Sequence, residues 1–449
     1  MNVDSHRSEL IDICKSCCRI ESVDYQFDEL RPSRHYDHSM VSGSGFLIDA
    51  SSLTSVETSA RSQYILTNFH VVDGCPDPHE VSIFFPLLGK QGLIGTVIRA
   101  FPQVDLAVIR MDRTDLTTSY RPLTLTSDMI PNFTRAYALG YPMASNDVMV
   151  SEGTVSGWDD EHMQFNISIN DGNSGGPILV RGKHGNLEVV AVTVASGGDT
   201  EGIAFGIPMC FWMLYQACVS RRAVRNSLTV LAFFPETTCS IRGAFIMAGH
   251  KNDILMTMGF KEGDKVIEID SSMDVDEFGE ISVGWRPKAS WLENVLLYGY
   301  IVQGGCAKVE RGGNVVLLEW PPLPSLKRPP ISSAYPAYEC PPSRSVGSLT
   351  LTNLTCNIID SAIRTSHFQN YLSTYRIVQT KRNTSAVVVA HVDVNTDTYG
   401  KRIVRVFDVV THVNGVRVTS IADIADIAQT NIYSMTINDT ITVECGFAA

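Results

Sequence analysis

Ser174 lies in Gly172-Asn173-Ser174-Gly175-Gly176-Pro177, between an apolar stretch and the run Ile178-Leu179-Val180. Glycines permit unusual φ/ψ values and close approach by a second segment. Such a turn presents the hydroxyl outward while the amides of Gly172 and Ser174 point at one spot, which a developing oxyanion requires. A serine hydroxyl is a weak nucleophile near neutral pH. It needs a general base, and the base needs an orienting carboxylate. His70 closes the run Tyr64-Ile65-Leu66-Thr67-Asn68-Phe69-His70, and Asp105 opens Asp105-Leu106-Ala107-Val108-Ile109-Arg110. Singly these are a hairpin loop, a strand-end histidine and a turn aspartate. Together, in the order His, Asp, Ser, they specify nucleophilic acyl transfer.

The elements that must bring these residues together are strands. Between residues 42 and 208, short β-branched runs are punctuated by Gly, Pro, Asp and Asn. Strands are predicted at Phe46–Ile48, Tyr64–Thr67, Val81–Phe85, Leu93–Arg99, Leu106–Arg110, Tyr137–Leu139, Met149–Val155, Gln164–Ser168, Gly176–Val180 and Val189–Val194. Runs at this spacing argue for an all-β barrel or sandwich. Upstream, residues 6–15 suit a helix, Cys17–Val23 a strand and residues 24–41 a polar surface loop carrying Tyr25, Phe27, His35 and His38.

Six blocks carry a resemblance: Ser-Gly-Ser-Gly-Phe-Leu-Ile (42–48), Leu-Thr-Asn-Phe-His-Val-Val (66–72), Asp-Leu-Ala-Val (105–108), Ala-Leu-Gly-Tyr-Pro (138–142), Gly-Asn-Ser-Gly-Gly-Pro (172–177) and Ala-Phe-Gly-Ile-Pro (204–208). In this order they resemble the HtrA/Deg serine proteases. The resemblance implies a mainly β chain with a chymotrypsin-like double-barrel protease domain, residues 1–215. It makes Ser174 the nucleophile, His70 the base and then the acid, and Asp105 the group that fixes the histidine tautomer. The amides of Gly172 and Ser174 become the oxyanion hole. In this fold Ser168, Ile169 and Asn170 wall the primary pocket, and Ala195 and Ser196 end the strand against which a peptide pairs. Ser168 and Ile169 are not acidic, so a preference for Lys or Arg is not expected; Ile169 and Ile207 favour a small or medium aliphatic side chain.

Downstream, Met209–Val224 is apolar with helical spacing. Residues 225–320 contain Gly259-Phe260-Lys261-Glu262-Gly263-Asp264 followed by an alternating strand, which resembles the central signature of PDZ domains. Trp291–Tyr300 would be that module's helix and Asn314–Glu319 its closing strand. Leu228–Phe233 falls where a carboxylate-binding loop belongs but lacks glycine, so an internal segment suits the groove as well as a free C-terminus. Residues 321–345 form a proline-rich linker: eight of the twenty prolines lie there, which stiffens and extends it. Residues 346–449 repeat the PDZ theme at Phe407–Val416 and on the face formed by Ile421, Ile424, Ile427 and Ala428. A protease followed by two PDZ-like α+β domains is the layout of plant-type Deg proteases.

At 449 residues the chain is long enough for two to four domains, and no apolar run reaches the length of a membrane span. A net charge of −12 without a basic stripe argues against nucleic acid or an anionic membrane as partner. Eleven scattered cysteines suit free thiols in a reducing compartment, and residues 1–10 contain no apolar core of a leader. A cytoplasmic or nuclear location is therefore expected. No metal or nucleotide cofactor is expected either. The resemblance further implies an ATP-independent endopeptidase of unfolded or exposed polypeptides, acting in protein quality control as a trimer or hexamer, with peptide ligands at the first PDZ-like domain. The competing readings are a silent chaperone or scaffold on the same fold and a PDZ adaptor with a vestigial protease part.

Overall fold

The computed structural model describes residues 3–25, 28, 38–53, 62–75, 78–111, 120–159, 162–194, 202–210, 231–233, 244–246, 258–276, 279–283, 290–291, 304–321, 330–331, 334, 341–364, 372–377, 381, 384–393, 403–427, 434–439 and 441–444. Helix α1 (Val3–Lys15) precedes two closed six-stranded barrels. The first consists of β1 (Cys17–Tyr25), β2 (His38–Ile48), β3 (Gln63–Thr67), β4 (Glu80–Phe84), β5 (Leu93–Phe101) and β6 (Leu106–Met111), ordered β1-β2-β3-β6-β5-β4. The second consists of β7 (Arg135–Gly140), β8 (Met149–Asp159), β9 (His162–Phe165), β10 (Pro177–Arg181), β11 (Leu187–Val194) and β12 (Ala204–Pro208), ordered β10-β11-β12-β9-β8-β7. Closure leaves no free sheet edge, which is how antiparallel sheets of this size avoid templating aggregation.

One apolar cluster contains residues of both barrels: Phe46, Leu66, Leu106 and Val108 from the first, Leu139, Leu179, Val189 and Ile207 from the second. Burying one such side chain fully stabilises the fold by about 1.5–3 kcal/mol, so the shared cluster holds the barrels against each other. Helix α1 is fixed to the second barrel by Glu9, which accepts from the Leu187 amide at 2.7 Å and from Arg181 Nη2 at 3.1 Å.

Several expectations are corrected in detail. The loop expected over 24–41 is shorter, because β1 runs to Tyr25 and β2 begins at His38. Phe27 and His35 lie outside the described residues. The strand expected over Gln164–Ser168 stops at Phe165. There the Asn166 side chain leaves the ladder: its Oδ1 accepts from Thr154 N at 2.6 Å and Thr154 Oγ1 at 3.1 Å.

Beyond the barrels, strands Leu231–Phe233, Ala244–Ile246, Lys265–Ile269, Gly305–Arg311 and Asn314–Trp320 form one sheet in that order. Leu231–Phe233 is thus ladder strand, paired to Ala244–Ile246, and not carboxylate loop. Trp291 pairs with Glu280 in a two-residue strand, so the expected helix does not start there; residues 292–300 lie outside the described residues. Of Met209–Val224, only Met209 and Cys210 are described, and both are helical. The turn before Lys265–Ile269 is held by Asp264, whose side chain is 0% exposed in its pairing with Arg311. Its carboxylate accepts from Arg311 Nε and Nη2, both at 2.7 Å, and from the Lys261 amide at 2.8 Å. A buried carboxylate persists only when its lone pairs are met in this way.

The last sheet orders strands Ser343–Val346, Leu349–Asn353, Val387–Val392, Val409–Val413, Ser434–Ile437 and Ile441–Glu444. Its turn at Arg405–Asp408 repeats the one at Lys261–Asp264. Asp408 Oδ2 accepts from the Arg405 amide at 2.8 Å, as Asp264 Oδ2 does from Lys261. The Phe407 amide bonds Val389 O at 2.8 Å, as Gly263 bonds Ile246 O at 2.8 Å. The two modules are built on one plan, with Asn438 at 3.0 Å from Asp408 Oδ1 replacing the arginine. Helix Ile421–Ile427 buries Ile421 and Ile424 in the second module's core.

Not all of 321–345 is connector. Ile331 is buried with Leu354, Ile358 and Ile359, and Asn357 on helix Cys356–Arg364 exchanges two hydrogen bonds with the Ala334 backbone, at 2.7 and 3.0 Å. The strand Ser343–Val346 then pairs with Leu349–Asn353. By contacts the chain divides into two compact units, with residues 254–326 assigned to the first and 327–449 to the second.

Candidate active site

The histidine is carried by a short 3₁₀ turn, Phe69–Val71, that ends β3, and Asp105 caps the turn that starts β6. Asp105 has φ 51°, ψ 44°, a left-handed conformation that Asp and Asn tolerate better than most residues. Four hydrogen bonds lock the two turns together. The Asp105 carbonyl accepts from Phe69 N at 3.0 Å and Asn68 Nδ2 at 2.9 Å. Its carboxylate accepts from His70 N at 2.8 Å through Oδ1 and faces His70 Nδ1 at 2.7 Å through Oδ2. An ionised carboxylate only accepts, so the proton resides on Nδ1 and the Nε2 lone pair is left for chemistry.

The nucleophile turn arrives from the second barrel, between β9 and β10, and is seated on the first. Ser44 N donates to Ser174 O at 2.7 Å, and Ser44 Oγ donates to Gly172 O at 2.6 Å. Gly175, at φ 87°, lies so close to the β3 end that an added Cβ would meet Ser44 O at 2.1 Å, Thr67 Oγ1 at 2.4 Å and Asn68 N at 3.1 Å. Only glycine fits this contact, which sets Ser174 beside the segment leading to His70. Ser174 is 5% exposed.

Peptide-plane orientation defines the amides. Asp171 O accepts from Met143 N at 2.6 Å, and Asn173 O accepts from Gly176 N at 2.9 Å. In a trans peptide the N–H points opposite to the C=O. The Gly172 and Ser174 amides are therefore both directed away from those partners. Gly172 is a buried residue, and no hydrogen bond from its amide is made to the described residues. An amide free in this way can donate to an incoming oxyanion.

Ser168 and Asn170 are exposed and Ile169 is half-buried against the second barrel's core, while Ile207 is 2% exposed and packed in the shared core beside Val192. Gly206 has no room for a side chain, since an added Cβ would lie 2.8 Å from Ala191 Cβ. Ala195 and Ser196 lie outside the described residues.

Sequence reasoning missed Asp73. Burial pulls the His70 pKa down most strongly, but the Asp105 hydrogen bond and the charges of Asp105 and Asp73 outweigh it and leave the pKa raised. Desolvation, then the neighbouring Asp24 carboxylate, push Asp73 up to about 6, against the Gly74 amide and His70, which lower it. Its signal was its place three residues after the histidine; its pairing with Asp24 is tertiary. Asp73→Asn removes a negative charge that favours the imidazolium, so the His70 pKa falls. The acid limb of a kcat/KM profile, which follows loss of the proton from His70, is expected to move to lower pH, and a pH series on a peptide substrate checks it.

Residues 43–192 match the trypsin-like peptidase domain family. A putative serine protease, HhoA, of Synechocystis is 31% identical over 37% of this chain and 40% of its own length. The mitochondrial serine protease HTRA2 of Drosophila grimshawi is 28% identical over 49% of each, and the chloroplastic Protease Do-like 1 of Arabidopsis thaliana 27% over 37% of each. The chain thus aligns with less than half the length of these curated relatives. An HtrA-type protease, AlgW, solved with a tripeptide, shares the fold at TM-score 0.51 and 20% identity, over 72% of this chain and 98% of its own. With two closed barrels and the His70, Asp105 and Ser174 blocks in that chain order, the barrel portion of this chain is a trypsin-like peptidase domain, similar to the HtrA/Deg serine proteases.

Proposed function

We propose that this chain is an ATP-independent serine endopeptidase that cleaves unfolded or exposed polypeptide by an acyl-enzyme mechanism, in a quality-control role. The carrying observation is the His70–Asp105 pair at 2.7 Å on the turn against which the Gly172–Ser174 turn is seated. Ser174 Oγ attacks the scissile carbonyl and His70 Nε2 takes its proton. The Gly172 and Ser174 amides receive the oxyanion. His70 then protonates the leaving amine, and a water activated by the same nitrogen releases the acyl group. The Asp105 carboxylate holds the ring and stabilises the imidazolium.

In this reading Ala195 and Ser196 pair with the substrate main chain, and an aliphatic side chain lies beside Ile169. The two modules after the barrels act as PDZ-like peptide or assembly domains, a reading supported by their shared aspartate turn. Assembly is as a trimer or hexamer. The buried thiols of Cys17, Cys18 and Cys75 support residence in a reducing cytoplasm or nucleus.

The test is digestion of casein by the full chain and by Ser174→Ala, with product termini read by mass spectrometry. Wild-type fragments ending in aliphatic residues are expected, and none from the variant. Equal fragments from both, or none from either, would overturn the reading.

A further inference from the structure

Ser44 belongs to β2 of the first barrel, yet three of its hydrogen bonds reach into the second. Its amide donates to Ser174 O at 2.7 Å, its hydroxyl donates to Gly172 O at 2.6 Å, and the same hydroxyl accepts from Tyr141 N at 2.9 Å. Its carbonyl accepts from Thr67 Oγ1 at 2.7 Å. The residue is 0% exposed. Its hydroxyl oxygen thus gives one hydrogen bond and takes one, both to backbone groups beside the proposed oxyanion site.

We infer that Ser44 is a positioning residue that holds the oxyanion hole open, an inference that rests on the serine-peptidase reading above. Gly172 sits between two peptide planes. The plane after it is fixed by its carbonyl on Ser44 Oγ, with the Asn173 amide turned to Asn170 O at 3.0 Å. The plane before it is fixed by Asp171 O on Met143 N at 2.6 Å. That second bond depends on where the 141–143 segment lies, and Ser44 Oγ holds that segment by the Tyr141 amide. One hydroxyl therefore pins both sides of the clamp. Gly172 has φ 93°, and an added Cβ there would lie 2.4 Å from Tyr141 O, so the two segments are in direct contact.

Without the hydroxyl, Gly172 O and Tyr141 N would be buried without this partner. Leaving such groups unpaired is unfavourable, and a shift of the 141–143 segment together with the 172–173 peptide relieves it. That shift breaks the Met143–Asp171 bond that fixes the plane before Gly172, and the freed 171–172 peptide can turn its carbonyl to where the Gly172 amide has to point. Ground-state contacts of the substrate elsewhere are untouched. The loss therefore falls on the transition state and appears in kcat rather than KM.

The experiment uses the full chain as wild type, Ser44→Ala and Ser44→Cys, the last keeping a weaker donor of similar size. Active sites are counted by exhaustive fluorophosphonate labelling. Then kcat and KM on a peptide substrate, and inhibition by a peptide boronic acid, are measured per active site, with melting curves alongside. Ser44→Ala is expected to lose between about 10- and about 100-fold in kcat, below the roughly 10²–10³ that follows outright removal of an oxyanion donor. KM should stay within about twofold, boronate affinity should fall with kcat, and Ser44→Cys should lie between. Wild-type kcat per active site in Ser44→Ala, or in Ser44→Cys where the alanine variant does not fold, overturns the inference and leaves the peptidase reading standing. Absence of Ser174-dependent labelling in the wild type overturns both.

Discussion

Replacing His70 with alanine is expected to lower kcat by about 10⁶ while leaving KM near its wild-type value, because serine and base act as one unit. The His70 turn is held by four bonds to Asp105, two accepted by the carboxylate and two by the carbonyl. The same reasoning makes the losses non-additive. Adding Ser174→Ala to His70→Ala should cost almost nothing further, since the residual rate comes from oxyanion stabilisation and binding alone. Steady-state kinetics on the single and double variants check both statements. A double variant slower than either single by another thousandfold would mean that the two residues act independently.

The candidate residues could be named from the chain because residue type singles them out: a flanked serine, a histidine at a strand end and an aspartate before a strand can be recognised without coordinates. The barrels were legible because alternation and turn residues set the strands locally, and eleven predicted strands overlap eleven observed ones. Strand β12 entered only as the block Ala-Phe-Gly-Ile-Pro, since five residues with a central glycine give little periodic signal. What stayed hidden depends on which surface meets which. Ser44 reads as a polar residue in a glycine-rich strand, and its contact with Gly172 spans 128 residues. Asp73 reads as a turn residue until Asp24 is beside it. Ile331 reads as part of a proline-rich spacer, and only the helix Cys356–Arg364 makes it core. The repeated aspartate turn was faint for the same reason: Lys261 and Arg405 contribute backbone amides, so the sequence constrains those positions weakly.

Asp105→Asn is the sharper test of the assignment, because it changes protonation and little else. The variant should fold, since asparagine also accepts a φ of 51° and fills the same volume. Its Oδ1 can keep the bond from His70 N, now made at 2.8 Å to the carboxylate. The amide nitrogen then faces His70 Nδ1, where the second carboxylate oxygen stood at 2.7 Å. An amide N–H donates, so Nδ1 must accept and the ring proton moves to Nε2, the nitrogen that has to receive the proton of Ser174. A loss of about 10⁴ in kcat is expected at neutral pH, with KM and the melting curve nearly unchanged. Asp105→Ala provides the contrast: it lacks both acceptors and places alanine at a positive φ, so it should lose stability as well as rate. The two variants thus separate the carboxylate's electrostatic role from its structural one. Fluorophosphonate labelling of Ser174 should slow by the same factor as kcat in Asp105→Asn. Activity within tenfold of wild type in that variant would show that His70 takes its tautomer from another group, and the triad assignment would fall.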